Sequence, residues 1–563
     1  MRWTIKPKPD PSKVARLSKE LAVDSTTSFL LAQRGIETFE EAKNFFRPDL
    51  SDLHDPFLMK DMEKAVSRIE EAVENQENIL VYGDYDVDGT TSVALMSSYL
   101  LSFYPNVATY IPDRYEEGYG ISYKGIDFAE DNNFSLIIAL DCGIKAIDKV
   151  AYAFKKEVDF IICDHHRPGA EIPKAKAVLD PKQEDCDYPF KELCGCGVGF
   201  KLIQALASKK GATIDDLVLY LDLVATAIGA DIVPIVGENR ILAYHGLKVI
   251  NENPRPGFEA ILKQVKKEKL TITDVVFIIA PRINAAGRMK HGNHAVTLLC
   301  ETDNNLAAEY AIDIDTYNTD RRDADKRITI EALVQIEKNK EQDRFTSVVF
   351  DENWHKGVIG IVASRLIETY YRPTLVFTKS GEMLAASARS VKGFDVYNAL
   401  EKCSEYIEQF GGHKYAAGLT LKPENYKSFK AQFEKVVEET IDPKMLIPEI
   451  SIDSQISLSD ITPKFYRILS QFAPFGPGNM TPVFMSEDIQ DTGYGKQVGE
   501  DKSHLRFTAT QHGSGKIVGI GFGLGEHIEL IKNKKPFKAA YTIDENEWNG
   551  NVSLQLKLKD IKP

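Results

Sequence analysis

The stretch Ile79-Leu80-Val81-Tyr82-Gly83-Asp84-Tyr85-Asp86-Val87-Asp88-Gly89 sets the fold and points to the chemistry. Its four leading apolar residues read as a short strand buried on both faces. Three aspartates at alternate positions follow. A similar arrangement recurs twice. Leu136-Ile137-Ile138-Ala139-Leu140 runs into Asp141, and Phe160-Ile161-Ile162-Cys163 runs into Asp164-His165-His166-Arg167. Helical stretches separate the strands from about residue 66 to 250, a βαβ rhythm that predicts a parallel sheet. In open sheets of this kind, ligands gather beyond the carboxyl ends of the strands. Residues far apart in sequence therefore converge on one edge, and what converges is mostly anionic. Clustered carboxylates repel one another, and bound divalent cations remove that penalty.

Asp86 and Asp88 flank Val87, so in an extended loop both carboxylates face one site. Gly89 permits a tight turn, and Thr90-Thr91 are placed to cap a helix beginning Ser92-Val93-Ala94-Leu95. An EF-hand loop counted from Asp84 needs an acid at its twelfth position, which is Leu95, so that reading is excluded. Two adjacent imidazoles at a strand end rarely serve packing, and neutral imidazole suits manganese, iron or zinc. Asp231 follows a helix-like run from Leu221 to Ala230. A helix C-terminus disfavours a carboxylate, and a metal gives it another reason to be there.

At 563 residues the chain has room for roughly three or four domains. Its 43% hydrophobic and 27% charged residues mark an ordinary globular protein. A net charge of -14 argues against a polyanion binder held by bulk charge, but local basic patches and metals still permit a nucleic-acid enzyme. The first ten residues lack a signal-peptide core, and no run approaches a membrane span. Seven cysteines, an odd number, suit a reducing cytoplasm. Cys194-Gly195-Cys196 lacks zinc-knuckle spacing and a second pair, which favours packing.

Residues 1–65 read as an N-terminal helical cap, 66–300 as the main α/β domain, 301–345 as a connecting helix with room for one break, 346–442 as a smaller α/β domain, and 443–563 as a β-barrel of OB type. On the connecting helix, Leu306, Tyr310, Ile314 and Tyr317 share one face, as do Ile328, Ala332 and Ile336. Its charged segment from Arg321 to Arg327 reads most simply as a solvated face. The segment Ala280-Pro281-Arg282-Ile283-Asn284-Ala285-Ala286-Gly287-Arg288 reads as a loop.

The aspartate-rich loop, Asp141, the Asp164-His165-His166 triplet and Asp231 resemble the motifs of the DHH phosphoesterase superfamily. Phe410-Gly411-Gly412-His413-Lys414-Tyr415-Ala416-Ala417-Gly418 is similar to the glycine-rich motif of the DHH-associated domain. Trp354-His355-Lys356-Gly357-Val358-Ile359-Gly360, the segment from Pro281 to Arg288, Ser387-Ala388-Arg389-Ser390 and Pro474-Phe475-Gly476-Pro477-Gly478-Asn479 resemble the RecJ branch of that superfamily. Ala280 stands where that branch often has glycine.

The resemblance implies a DHH domain and a DHH-associated domain joined by a long helix, with an OB-fold after them. It implies Asp86, Asp88, Asp141, His165 and Asp231 as ligands of two divalent cations, Mn2+ or Mg2+, with Asp141 bridging. Asp84 is a ligand or a support, and His166 orients the scissile phosphate or a ligand rather than holding metal fully. Arg114, Arg288, Ser387, Arg389 and Ser390 are suited to phosphate. Gly412 lets backbone amides approach an anion and His413 adds a donor, while Tyr119 stacks on a base or packs in a core. The activity implied is 5′→3′ exonuclease action on single-stranded DNA in recombination and repair, by a cytoplasmic monomer. A single-strand-binding protein and a RecQ-type helicase are the partners implied. The alternatives are a DHH enzyme of short oligonucleotides or small phosphate substrates, whose chains end soon after the glycine-rich motif, and a non-catalytic DHH scaffold, which loses its ligands. Here every ligand position is filled.

Overall fold

The computed structural model describes residues 1–563 except 266, 268, 513, 514, 534 and 549. The chain divides into two compact units. One comprises Trp3–Ile283, Ala295–Ala311 and Ile450–Pro563; the other comprises Met1–Arg2, Asn284–His294 and Ile312–Glu449.

The larger unit is built on a five-stranded sheet, parallel throughout. Its order is Val107–Tyr110, Asn78–Gly83, Phe134–Leu140, Asp159–Cys163, Ala177–Leu179. The first strand in sequence lies inside the sheet, so the direction of winding reverses between Asn78–Gly83 and Phe134–Leu140. Its central strands are apolar on both faces because helices cover both; Ile79 to Tyr82 and Leu136 to Leu140 are all fully buried. Pairing runs Gly83 to Leu140, Leu140 to Cys163 and Cys163 to Leu179. The residues that follow those pairs, Asp84, Asp141, Asp164 and Asp180, therefore form one row along the carboxyl edge.

The helix after the first strand starts earlier than the sequence suggests. It spans Val87–Leu101, with Asp86 as its N-cap accepting from the Gly89 amide at 3.0 Å. Thr90 and Thr91 lie inside it and donate their hydroxyls back to the carbonyls of Asp86 and Val87. Asp86 and Asp88 are thus set by a helical first turn, not by an extended loop. The tight turn needs Gly89, since a Cβ there would overlap the Asp84 backbone.

The N-terminal helices Pro11–Leu21, Ser25–Gln33 and Phe39–Phe46 share a core with the C-terminal barrel. Leu17, Leu30 and Leu31 pack in one cluster with Phe472, Phe484, Phe507 and Tyr541. The boundary drawn at residue 65 falls inside the helix Met62–Glu74. The barrel orders its strands Ser454–Gln455, Phe484–Asp491, Phe537–Trp548, Asn551–Lys562, Ile517–Gly521, His504–Thr510, Lys496–Val498, and a further pairing of Phe484–Asp491 with His504–Thr510 closes it.

In the smaller unit the sheet order is Gln409–His413, Ala416–Leu421, Met383–Arg389, Thr374–Ser380, Ser347–Phe350, and its only parallel pair is the last one. The helix Asn304–Lys338 runs through the expected connector without a break. Ile328, Ala332 and Ile336 are buried as their spacing predicts, but Leu306 is 42% exposed and Ala307 and Ala311 take the inner face beside Ile314. The charged segment is not wholly solvated, because Asp325 is buried and accepts from Arg365 Nε at 2.8 Å.

The expected loop at 280–288 is instead the helix Ala280–Met289, entered through a π-helical turn at Val275–Ile279. Proline lacks the N–H and its ring clashes with the carbonyl four residues back in a regular helix. A wider turn directly before Pro281 makes room for it. Among the described residues no helix is long and apolar enough to cross a membrane. All seven cysteines are free thiols, and Cys194 caps the helix Gly195–Lys209 through the Gly197 amide, in keeping with packing.

Candidate metal centre

Two residues at the sheet edge, Asp141 and His165, and two at helix ends, Asp88 and Asp231, meet in a largely buried cluster. His165 Nε2 lies 3.2 Å from Asp141 Oδ1, 3.6 Å from Asp231 Oδ2 and 3.8 Å from Asp88 Oδ2. Donor atoms of Asp141, His165 and His166 fall within 4.8 Å of one another, as do those of Asp88, His165 and Asp231. Asp84 and Asp86 stand beside this group. Asp84 Oδ1 accepts from the Gly120 amide at 3.2 Å, and Asp86 adds its charge to those of Asp84, Asp88 and Asp141.

Local backbone geometry places each of these carboxylates. Asp88 sits against the N-terminus of the helix Gly195–Lys209, where the amides of Gly195 and Cys196 both donate to it at 2.7 Å. That helix end favours a carboxylate. Gly195 is required for the approach, since a Cβ there would stand 2.5 Å from Asp141 Cβ. Asp141 takes a left-handed backbone at φ 58 while its amide still pairs with Cys163. Asp231 is the C-cap of the helix Leu221–Ala230.

The electrostatics of the cluster suit bound cations. Burial, then Asp86, pushes Asp84 up to about 8 and Asp88 up to about 7. Burial, then Asp88 and Asp86, pushes Asp231 up to about 8, and Asp141 is driven well above the carboxylate range by burial and Asp88. Burial, with the charge of His166, lowers His165 to about 3, so its imidazole is neutral and offers a lone pair. Asp141 Oδ1, Asp84 Oδ2 and His165 Nε2 are buried with no hydrogen-bond partner among the described residues. Leaving such atoms unpaired is costly. Carboxylate oxygens and a neutral imidazole are the donor set of manganese and magnesium sites, so the residues fit the cations.

Two residues here were not singled out as site residues from the sequence. Asp164 accepts from the amides of Ile144, His165 and His166, and from His166 Nδ1 at 2.7 Å. Burial works against its charge, but the His166 bond prevails and holds Asp164 at about 2. Burial likewise works against the His166 cation, yet the Asp164 bond lifts His166 to about 9. His166 is therefore a cation at neutral pH. Asp180, fully buried in the same row, accepts from the Lys182 amide with one oxygen while the other has no partner among the described residues. Its signal was an apolar triplet, Ala177-Val178-Leu179, ending in an aspartate.

Tyr119 is 55% exposed, which removes the core reading. Its hydroxyl lies 3.3 Å from the Asp141 carbonyl and 3.2 Å from His166 Nε2. Arg114 stacks on Tyr85 at 4.5 Å and offsets the charge of Asp84.

The other predicted residues lie in the smaller unit. Arg288 Nη1 donates to the Gly357 carbonyl at 2.8 Å, and Arg389 Nη1 donates to Ser387 Oγ at 3.0 Å. A Cβ on Gly360 would stand 2.8 Å from Ser387 Oγ and 3.0 Å from Arg389 Nη2. Gly360 belongs to the first turn of the helix Ile359–Thr369, which has no side-chain cap. Two guanidiniums and a hydroxyl therefore gather near one helix N-terminus, a setting that favours an anion. Ser390 departs from the expectation, because its hydroxyl donates to the Phe394 carbonyl within its own turn. Gly412 sits in the hairpin strand Gln409–His413 at φ 145, where a Cβ would overlap Ala416 and Ala417, and His413 is exposed at its end.

A doubly wound sheet that delivers aspartates and a paired His-His from successive strand ends into one buried cluster defines a DHH-type phosphoesterase. The DHH family N-terminal domain matches residues 78–228, the DHHA1 domain 342–439 and the RecJ OB domain 452–560. The chain is 36% identical over 566 residues to the single-stranded-DNA-specific exonuclease RecJ of Bacillus subtilis strain 168, covering 100% of this chain and 70% of that one. Against the RecJ of Escherichia coli K12 it is 33% identical with 95% of each chain covered. The crystal structure of RecJ from Thermus thermophilus in complex with Mn2+ superposes with a TM-score of 0.86 at 26% identity, over 100% of this chain and 79% of that one; the Mg2+ complex does so at 0.78 and 24% over 100% and 78%. The chain belongs to the RecJ family of single-stranded-DNA-specific exonucleases.

Proposed function

We propose that this chain degrades single-stranded DNA from a 5′ end, and that Asp86, Asp88, Asp141, His165 and Asp231 hold the two divalent cations, Mn2+ or Mg2+, on which the reaction depends. The observation that carries the assignment is the set of buried, unpartnered atoms on Asp141 and His165. When bound, such cations supply charge for the phosphate oxygens and ready a water for in-line attack. The chain's own groups do the rest. His166, kept cationic by Asp164, is placed to donate to a phosphate oxygen, and Tyr119 presents an open ring for a base. Asp84 supports the cluster through Gly120. Arg288, Ser387 and Arg389 are our choice for the terminal phosphate, with Gly412 and His413 beside the chain and Arg114 on the backbone near Tyr85.

If the end is held by its phosphate while the following link is cut, the product is a nucleoside 5′-monophosphate and the shortened strand again begins with a 5′-phosphate. The cycle can then repeat. In this reading residues 66–300 cut, 346–442 hold the end and 443–563 bind the strand beyond it. Seven free thiols support a cytoplasmic setting. A monomer that meets a single-strand-binding protein and a RecQ-type helicase completes the reading.

The test is digestion of equal lengths of 5′-phosphorylated single strand, 5′-hydroxyl single strand and blunt duplex, and of a dinucleotide, with Mn2+ or Mg2+. We expect mononucleotides from the 5′ end, fastest from the phosphorylated strand. Equal rates on blunt duplex, or a preference for dinucleotides over long strands, would overturn it.

A further inference from the structure

The motif Pro474-Phe475-Gly476-Pro477-Gly478-Asn479 and the N-terminal helices play no part in the chemistry above, yet both bear on the loop that carries Asp231. The Ile235 amide donates to the Pro477 carbonyl at 2.7 Å. Residues Gly476 to Asn479 close on themselves through Gly476 N to Asn479 O at 3.1 Å and Asn479 N to Gly476 O at 2.9 Å, with Gly478 at φ 74. Proline second and glycine third is the pattern of a type II turn. Both glycines permit close approach to the loop. A Cβ on Gly476 would stand 2.5 Å from Ile235 Cγ1, and one on Gly478 would stand 3.1 Å from Val236 Cγ1.

The turn is itself locked. Asn479 is buried; its Nδ2 donates to the carbonyls of Phe472 and Pro474 at 2.8 and 2.9 Å, and its Oδ1 accepts from Arg34 Nε at 2.8 Å. Arg34 Nη2 also donates to the Met480 carbonyl. Arg34 closes the helix Ser25–Gln33 of the N-terminal cap.

What the turn holds needs holding. Ile232, next to Asp231, has φ 61 and is 64% exposed. A β-branched residue in that region is strained and persists only where its surroundings impose it. Two bonds fix the backbone after it: Asn239 Nδ2 donates to the Pro234 carbonyl at 3.0 Å, and Ile235 donates to Pro477.

We propose that the Gly476–Asn479 turn, with Arg34 behind it, is a positioning element for Asp231, fixing the 232–236 loop so that the carboxylate stays beside His165 and Asp88. This rests on Asp231 being a metal ligand. The N-terminal cap thereby acquires a role in the chemistry, because through Arg34 and Asn479 it holds a metal-site loop two steps away.

The test is Mn2+ titration of chelated full-length protein, read by the electron paramagnetic resonance signal of free Mn2+, for wild type, Gly476→Ala, Arg34→Ala, Asp231→Asn and the Gly476→Ala/Asp231→Asn pair. Arg34→Ala removes support without adding an atom, so it serves if Gly476→Ala does not fold. Outer partners of metal ligands are worth about 10–100-fold in affinity. We expect about a 10-fold loss in each positioning variant, unchanged affinity for single-stranded DNA, cleavage restored by excess Mn2+, and a pair no weaker than Asp231→Asn alone. Weakened binding in Asp231→Asn with wild-type affinity in the folded positioning variants overturns the positioning alone. Wild-type affinity in Asp231→Asn overturns the ligand assignment and the positioning with it.

Discussion

Asp141 Oδ1 and His165 Nε2 stand 3.2 Å apart in the interior, and neither has a hydrogen-bond partner among the described residues. A carboxylate oxygen and the lone pair of a neutral imidazole are both acceptors, and a divalent cation satisfies both at once. Asp141→Asn removes the charge and keeps the shape. We expect it to cost more in Mn2+ affinity than the ~10–100-fold of an outer partner, and to abolish cleavage while leaving strand binding in place. Calorimetric Mn2+ titration and a gel assay check this.

The same carboxylates make stability depend on pH when the metal is removed. Asp84, Asp88 and Asp231 titrate near 8, 7 and 8 in the folded protein, against an ordinary value of 3.8. The folded state then binds more protons than the unfolded one, so these groups lower stability as pH rises from about 4 to 8. In chelator the melting temperature should fall across that window relative to the Mn2+-loaded protein. Mn2+ binding at pH 7 should release protons, seen as a buffer-dependent heat. A gap between the two forms that does not widen with pH would contradict the coupling.

Asp164 keeps His166 charged. Asp164→Asn should lower the His166 pKa by removing its strongest support, which imidazole proton resonances would report. With a cationic His166 donating to the phosphate, the alkaline limb of the rate profile should move to lower pH in this variant. An unmoved limb would remove His166 from the reaction.

Arg389 and Arg288 have a different signature. Bonds to charged groups are worth ~1.5–3 kcal/mol, so Arg389→Ala should raise KM for a 5′-phosphorylated strand by about 10–100-fold. The 5′-hydroxyl strand should suffer little. Equal losses on both strands would place these arginines elsewhere.

Lys201 and Glu238 form a fully buried pair at 2.9 Å, and Tyr188 and the His54 backbone satisfy the remaining atoms. Removing one partner strands a buried charge, at a cost of ~3–5 kcal/mol. Lys201→Met should lose that in urea unfolding, and Lys201→Met/Glu238→Gln should recover part of it.

The catalytic half of the fold was legible because its signals are local. An apolar run ending in aspartate marks a strand of a parallel sheet and its functional end together, and it placed Asp84, Asp141 and Asp164. The same rule applied to Ala177-Val178-Leu179 would have found Asp180; a three-residue run is short enough to be passed over. Pro281 misled because proline argues against a helix, and the π turn that accommodates it leaves no local trace. Thr90 and Thr91 looked like caps because threonine favours them, while Asp86 took that role first. The N-terminal cap revealed nothing by itself. Arg34 gains its meaning from Asn479, 445 residues away, through a bond no local pattern encodes.

The most direct test of the whole account is an anomalous-scattering map at the manganese edge from crystals grown with Mn2+. It should show two peaks in the cluster, with Asp86, Asp88, Asp141, His165 and Asp231 as their ligands. Peaks elsewhere on the chain, with Asp141 and His165 left uncoordinated, would contradict it.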